Sequence, residues 1–153
     1  MTSASAADIA RVTELLGRKP QGNFEVVIRD AHGDPVVVKN EPLLYDGTPM
    51  PTRYWLVGAT EHMAVSRLES EGCIDLAESE IAPEAIQETH DAYARERDSA
   101  IPESHLGPRP HGGVAGTRVG VKCLHAHYAN WLVTRTDVVG KWVAERLQNN
   151  QQK

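Results

Sequence analysis

The chain has 153 residues, 41% of them hydrophobic and 24% charged, with a formal charge of −5, a balance typical of one globular domain. Its two cysteines exclude a secreted disulfide scaffold, no apolar run reaches the roughly 20 residues of a membrane span, and the negative charge with few aromatic residues argues against nucleic acid as a partner. Because residues 1–8 lack the features of a signal peptide, we expect a soluble, cytoplasmic protein without membrane insertion.

The first part of the chain predicts one helix and three strands. Apolar residues at helical spacing predict a helix over residues 6–16 that ends at Gly17. Two β-branched runs, 24–28 and 35–38, flank a turn and predict a hairpin. A turn-rich segment then leads into a third strand over residues 53–57.

The second part predicts four helices and one long loop. The helices are expected over residues 61–71, 83–98, 121–134 and 138–147. Residues 101–120 contain three prolines and five glycines, too many for regular structure, and long loops inside domains are often functional. The sequence therefore predicts one α+β domain over residues 1–147, in which about five helices cover a small three-stranded antiparallel sheet. The polar residues 148–153 are expected to form a frayed tail.

Charge is unevenly distributed along the chain. Residues 61–105 contain twelve acidic and three basic residues, whereas residues 106–153 contain seven basic and two acidic ones. A solvated acidic helix beside a less charged core segment would explain the division. A basic segment that binds an anion such as phosphate would explain it as well.

Residues 122–128 carry the side chains best suited to chemistry. On a helix, Cys123 and His127 lie at i and i+4, where a thiolate and an imidazole can bind one zinc ion. His125 points to another side, so we expect His125 to contribute to stability and His127 to bind a ligand or partner. An extended segment would instead point all three side chains the same way. A buried cysteine and a core histidine without function form the remaining alternative.

Cys123 and His127 would supply only two of the four ligands of a tetrahedral zinc ion. The other ligands would come from histidines elsewhere in the chain, namely His62, His90, His105 or His111. Zinc is therefore the candidate cofactor, with its ligand set incomplete.

The loop at residues 111–120 has the composition of an anion-binding cradle. Glycine allows backbone amides to approach an anion, and Arg109, Arg118 and Lys122 supply positive charge before a predicted helix. It is not a Walker loop, because no Gly-Lys-Ser or Gly-Lys-Thr follows. A mobile glycine loop with solvated basic residues explains the same composition.

Two catalytic hypotheses use the same region. Cys123, near a helix N-terminus and beside Lys122, has the setting of a reactive thiolate. Alternatively, His125 or His127 acts as general acid or base in a hydrolase or transferase, which requires a carboxylate partner such as Glu69 or Asp91. Whether any reaction is catalysed stays open at this point.

Motifs along nearly the whole chain, from residue 16 to residue 147, resemble those of a known family. They are Asp46-Gly-Thr-Pro-Met-Pro-Thr-Arg-Tyr-Trp-Leu56, Val65-Ser-Arg-Leu-Glu69 with Gly72, His90 with Tyr93, and Val121-Lys-Cys-Leu-His-Ala-His-Tyr128. In this order they closely resemble the bacterial domain-of-unknown-function family 501, which has no established activity. Many members have cysteines near the positions of Asp30 or His32 and of Ala59, which this chain lacks.

The resemblance also indicates residues and a cellular context. The residues of this chain that match the family's motifs include Arg67, Glu69, Lys122, Cys123, His125 and His127. Members are often encoded beside a septum-formation initiator and an exopolyphosphatase-like protein. This association implies an adaptor that binds proteins of the cell-division or envelope machinery.

The leading hypothesis from the sequence is a protein that binds a small anionic ligand or a metal ion. Its pocket would form between the loop 111–120, the helix that carries Cys123 and His127, and Arg67. The expected ligand-binding residues are Arg67, Glu69, Arg118, Lys122, His125 and His127, and the expected metal ligands are Cys123 and His127. A protein-interaction adaptor and a His-dependent hydrolase or transferase are the two alternatives.

Overall fold

The computed structural model describes residues 3–151 of the chain. Over this range it contains three strands, six α-helices and one short 3-10 turn at Val114–Gly116. The elements are α1 (Ala6–Leu16), β1 (Phe24–Arg29), β2 (Pro35–Asn40), β3 (Tyr54–Leu56), α2 (Ala59–Ser70), α3 (Cys73–Glu80), α4 (Pro83–Ser99), α5 (Leu124–Thr134) and α6 (Val138–Gln151). The α+β class predicted from the sequence is confirmed.

The sheet is antiparallel throughout and has the order β1-β2-β3, so within residues 3–151 β3 lies at one edge. The β1–β2 hairpin turns at Gly33, whose φ of 84° is a conformation that favours glycine. The Asp30 carboxylate stabilises this turn by accepting the N–H groups of His32 and Asp34.

The two faces of the sheet bury different parts of the core. Because side chains alternate along a strand, Val38 and Trp55 face α1, whereas Val37 and Leu56 face the larger core built with α2, α5 and α6. Arg11 on α1 also binds the hairpin through Asp34, at 2.8 Å and 2.9 Å. The sheet is therefore covered on both faces. Its β3 edge lies between α1 on one face and the larger core on the other.

The helices differ from the predicted ones in several places. The helix α3 was not predicted; it begins after Gly72, whose φ of 84° interrupts the helical run. Helix α5 begins at Leu124 rather than at residue 121, because Cys123 has extended backbone angles (φ −153°, ψ 125°). Helix α6 continues to Gln151, so residues 148–151 of the expected frayed tail are helical, and residues 152–153 lie outside the described residues.

No helix among the described residues combines the length and the apolar composition that crossing a membrane would require.

Helices α5 and α6 approach closely at Gly140. A methyl group at this position would overlap the carbonyl oxygen of His127 and the Cβ of Trp131. Gly140 is fully packed in the core, and its N–H donates to the side chain of Asp137 at 2.8 Å. A small residue is therefore required where the two helices meet.

We expect Gly140→Ala to destabilise the protein by about 1–3 kcal/mol, because the added methyl overpacks this contact. Elsewhere in a helix the same change ordinarily stabilises by roughly 0.5–1 kcal/mol, so the sign of the effect is diagnostic. Urea unfolding measures it. The control is Gly107→Ala in an exposed loop, where the new methyl meets only the His105 ring. A Gly140→Ala protein as stable as the parent would contradict the packing.

Candidate functional site

A pocket of about 760 Å³ opens beside β3. Its wall is formed by the end of α1, by β3, by α2 and by the first residues of α5. Apolar side chains such as Leu15, Trp55 and Met63 form much of the wall, and polar groups cluster where α2 meets α5. From the glycine-rich loop, Ala115 contributes to the wall.

One face of α2 supplies three polar residues to this region. His62, Ser66 and Glu69 follow one another at spacings of four and three residues, which places them on one side of the helix. Val65 and Leu68 are buried and hold α2 against the core. The polar face is thereby directed at the N-terminus of α5.

Glu69 caps α5 from a different helix. Its Oε2 accepts the N–H of Leu124, the first residue of α5, at 2.8 Å. The first N–H groups of a helix have no partner within the helix, and a carboxylate is favoured there by the helix dipole. The contact fixes the position of α5 relative to α2 and sets where the helix begins.

Three potential metal ligands converge at this cap. His125 Nδ1 lies 3.2 Å from Glu69 Oε2 and 3.7 Å from Cys123 Sγ. One ligand atom from each of Glu69, Cys123 and His125 lies within 4.8 Å of the other two. All three residues are partly buried, and both Cys123 and His125 line the pocket.

The other nitrogen of His125 is also held in place. Nε2 lies 3.0 Å from Ser66 Oγ and 3.2 Å from the backbone oxygen of His62. Because a carbonyl oxygen only accepts hydrogen bonds, we infer that Nε2 carries a hydrogen. The His62 ring stacks on the His125 ring with centroids 4.4 Å apart. Nδ1 is therefore the nitrogen that faces the carboxylate of Glu69 and the sulfur of Cys123.

Electrostatics favour a positive charge at Nδ1. Burial by itself lowers the pKa of His125, but the hydrogen bond with Cys123 and the charge of Glu69 together raise that pKa above its usual value. A proton bound to Nδ1 supplies part of this positive charge. A metal cation between the three side chains would supply positive charge as well.

His127, expected to pair with Cys123, lies outside the cluster of Glu69, Cys123 and His125. The His127 side chain is fully buried, and its Nδ1–H donates to both carboxylate oxygens of Asp137, at 3.0 Å and 2.9 Å. Asn130 and the N–H of Gly140 donate to the same carboxylate. Cys123 has extended backbone angles and precedes α5, so Cys123 and His127 do not form an i, i+4 pair within the helix. Cys123 is instead brought to His125.

Several backbone groups of the glycine-rich loop are hydrogen-bonded within the protein. Buried His90 bridges the middle and the last residue of the loop: its Nδ1 accepts the N–H of Val114 at 3.1 Å, and its Nε2–H donates to the oxygen of Gly120 at 2.7 Å. The N–H of Gly113 donates within the loop, to Thr117 at 2.8 Å. These amides are thus already used, and His90 acts as an anchor for the loop.

The expected basic residues do not gather at the pocket. Within residues 3–151, the pocket wall includes neither Arg67 nor Arg118 nor Lys122, and all three are exposed. Lys122 Nζ lies 3.5 Å from the oxygen of Ala115. The pocket expected between the loop, the α5 region and Arg67 therefore forms without Arg67. Of the predicted ligand-binding residues, Glu69 and His125 come together.

The remaining histidines also separate. His105 bonds the oxygen of Pro108 and His111 is exposed, whereas His62 stacks on His125. No role was expected for Ser66, and His62 was expected only as one of four candidates for the further zinc ligands. Their signal was the spacing of residues 62, 66 and 69, which marks one polar face on α2.

Comparison with known proteins identifies one family. The family described as "Protein of unknown function (DUF501)" matches residues 26–145, a range that contains the Glu69, Cys123 and His125 cluster. No curated protein and no solved structure matches the chain.

The positions of the two histidines predict losses of stability of different size. We expect His127→Ala to cost about 3–5 kcal/mol, because it leaves Asp137 buried without a main partner and opens a cavity. We expect His125→Ala to cost about 1–2 kcal/mol, since its partners can reach water through the pocket. His111→Ala, on an exposed residue, serves as the control in urea unfolding. A larger loss for His125→Ala than for His127→Ala would contradict this arrangement.

Proposed function

Because the chain belongs to the DUF501 family of proteins of unknown function, we propose its function from the pocket itself. The protein binds a zinc ion through Glu69, Cys123 and His125 and presents the ion to a ligand in the adjacent pocket. The proposal replaces the Cys123–His127 pair expected from the sequence with the three side chains that converge at the cap of α5.

The separations of the ligand atoms carry the proposal. A tetrahedral zinc ion about 2.0–2.1 Å from nitrogen and oxygen and about 2.3 Å from sulfur keeps nitrogen and oxygen about 3.3 Å apart and nitrogen and sulfur about 3.6 Å apart. The corresponding distances here are 3.2 Å from His125 Nδ1 to Glu69 Oε2 and 3.7 Å to Cys123 Sγ. These two separations match those around a zinc ion, and the ligand atoms of Glu69 and Cys123 lie within 4.8 Å of each other.

The surroundings of His125 support the same role. A histidine that binds a metal through one nitrogen ordinarily donates its other N–H to a carbonyl or carboxylate. Nε2 of His125 has such an acceptor in the backbone oxygen of His62, 3.2 Å away. This contact would hold the ring with the Nδ1 lone pair directed at the ion.

The chemistry follows from the number of ligands. Three protein ligands leave a fourth position on the ion, an arrangement typical of catalytic rather than structural zinc sites. Cys123 and His125 line the pocket, so the fourth position would be open to it. There the ion can activate a water molecule or polarise a carbonyl or phosphoryl oxygen of a bound molecule.

A second candidate, a His-dependent hydrolase, is favoured by one contact. Ser66 Oγ lies 3.0 Å from Nε2 of His125 while Glu69 lies on Nδ1, the order of a serine–histidine–carboxylate triad. In that function Nε2 must accept the serine proton, which the neighbouring His62 oxygen opposes. Asp91, the other carboxylate considered, is exposed and bonds Gln87 instead.

The zinc content of the purified protein tests the proposal. We expect close to one equivalent by mass spectrometry, and a loss of affinity of at least about tenfold in each of Glu69→Gln, Cys123→Ser and His125→Ala. Cys73→Ala, which changes the other free thiol, and His111→Ala should retain the zinc. Folded wild-type protein that takes up no added zinc would refute the proposal.

Ser66→Ala separates the two candidates. In the zinc proposal this variant loses only a partner of Nε2, so it should still bind zinc, about 10–100-fold more weakly at most. In the hydrolase alternative, a fluorophosphonate probe should label Ser66 in metal-free protein and fail to label Ser66→Ala.

A further inference from the structure

The pocket lies along the free edge of β3 rather than over one face of the sheet. Its wall includes the successive residues Tyr54, Trp55, Leu56 and Val57. Side chains along a strand point alternately to opposite faces, so a cavity touched by all four must adjoin the edge itself. The α1 side chains Leu15 and Leu16 and the α5 residue Ala126 border the pocket from the two faces of the sheet.

The strand register shows which backbone groups face this edge. The oxygen of Arg53 accepts from Asn40 at 2.7 Å, and the N–H of Val57 donates to Val36 at 2.8 Å. In an antiparallel pair such bonds involve every second residue, so residues 53, 55 and 57 bond β2. The backbone groups of Tyr54 and Leu56 must then point away from β2, towards the pocket.

These edge groups are only partly satisfied. The N–H of Tyr54 donates to the hydroxyl of Tyr93. Within residues 3–151, the oxygen of Tyr54 and both the N–H and the oxygen of Leu56 have no hydrogen-bond partner. Leu56 belongs to the wall of the pocket, so these groups lie where a bound molecule could reach them. The edge therefore offers an acceptor, a donor and a second acceptor in strand geometry.

We propose that the pocket binds an extended peptide segment as a fourth strand on β3. Main-chain hydrogen bonds to Leu56 and Tyr54 would fix its direction, and the apolar wall would receive alternate side chains. The proposal goes beyond the zinc site, because it rests on the strand edge and does not require the ion.

Charge at the rim indicates which peptide fits. The guanidinium of Arg18 lies 5.5 Å from the centre of the Trp55 ring, and the ion pairs formed within residues 3–151 leave Arg18 without an acidic partner. An acidic side chain or a terminal carboxylate on the peptide would supply that partner. A second copy of the chain would bring its own Arg18 to a symmetric contact, which favours an apolar, acidic peptide over self-pairing.

Amide exchange at Leu56 tests the proposal directly. The full-length protein, isotopically labelled, is mixed with a pool of acetylated six-residue peptides that alternate valine and leucine and carry one aspartate at each position in turn. We expect exchange of the Leu56 N–H to slow by at least about tenfold at saturation. The slower exchange should persist when a chelator removes metal. Peptide binding can then be confirmed or refuted whether or not the protein binds zinc.

Two complementary peptide pools provide the matched control. One pool is N-methylated at odd residues and the other at even residues, so each lacks the N–H donors of one strand edge. Because a strand on β3 uses only one of its edges, a given peptide should keep binding in one methylated form and lose it in the other. Arg18→Ala should weaken binding about tenfold, whereas Lys19→Ala should leave it unchanged.

Three outcomes would overturn the proposal. Unchanged exchange at Leu56 with every pool would exclude a peptide at the edge. Equal binding of both methylated forms would mean that the pocket receives apolar side chains without strand pairing. Protection of Leu56 that rises with protein concentration alone would identify a second copy as the occupant.

Discussion

The carboxylate of Glu69 is the contact on which the arrangement of the site depends. It accepts the first N–H of α5, at Leu124, and the same oxygen lies 3.2 Å from His125 Nδ1. One side chain of α2 therefore determines where α5 begins, keeps Cys123 outside the helix in extended conformation, and directs His125 at the pocket. If α5 began earlier, Cys123 would move to another side of the helix, away from His125.

A second carboxylate joins the middle of α5 to the start of α6. Asp137 binds Nδ1 of His127 and the amide of Asn130 and also caps α6 through the N–H of Gly140. All of these partners are buried, so the corner between α5 and α6 is fixed by a network that is expensive to break. The start and the middle of α5 are both held, so α5 presents His125 to the pocket from a rigid support.

Much of the fold could be predicted because its signals are local. The helix that ends at Gly17 and the hairpin at Gly33 follow from apolar spacing and from glycines that adopt positive φ. The chemistry-bearing segment around Cys123 was also found from its residue types. The grouping of His125, rather than His127, with Cys123 was not, because it depends on where α5 begins. That boundary is set by Glu69, 55 residues away in the chain, and no local pattern reports such a cap.

Zinc K-edge X-ray absorption of the metal-loaded protein tests the central claim most directly. The account predicts one sulfur ligand at about 2.3 Å, from Cys123, together with nitrogen and oxygen ligands at about 2.0–2.2 Å. In Cys123→Ser the sulfur shell should disappear, whereas in Cys73→Ala it should remain. A zinc ion bound without sulfur, or a sulfur shell that survives in Cys123→Ser, would contradict the account.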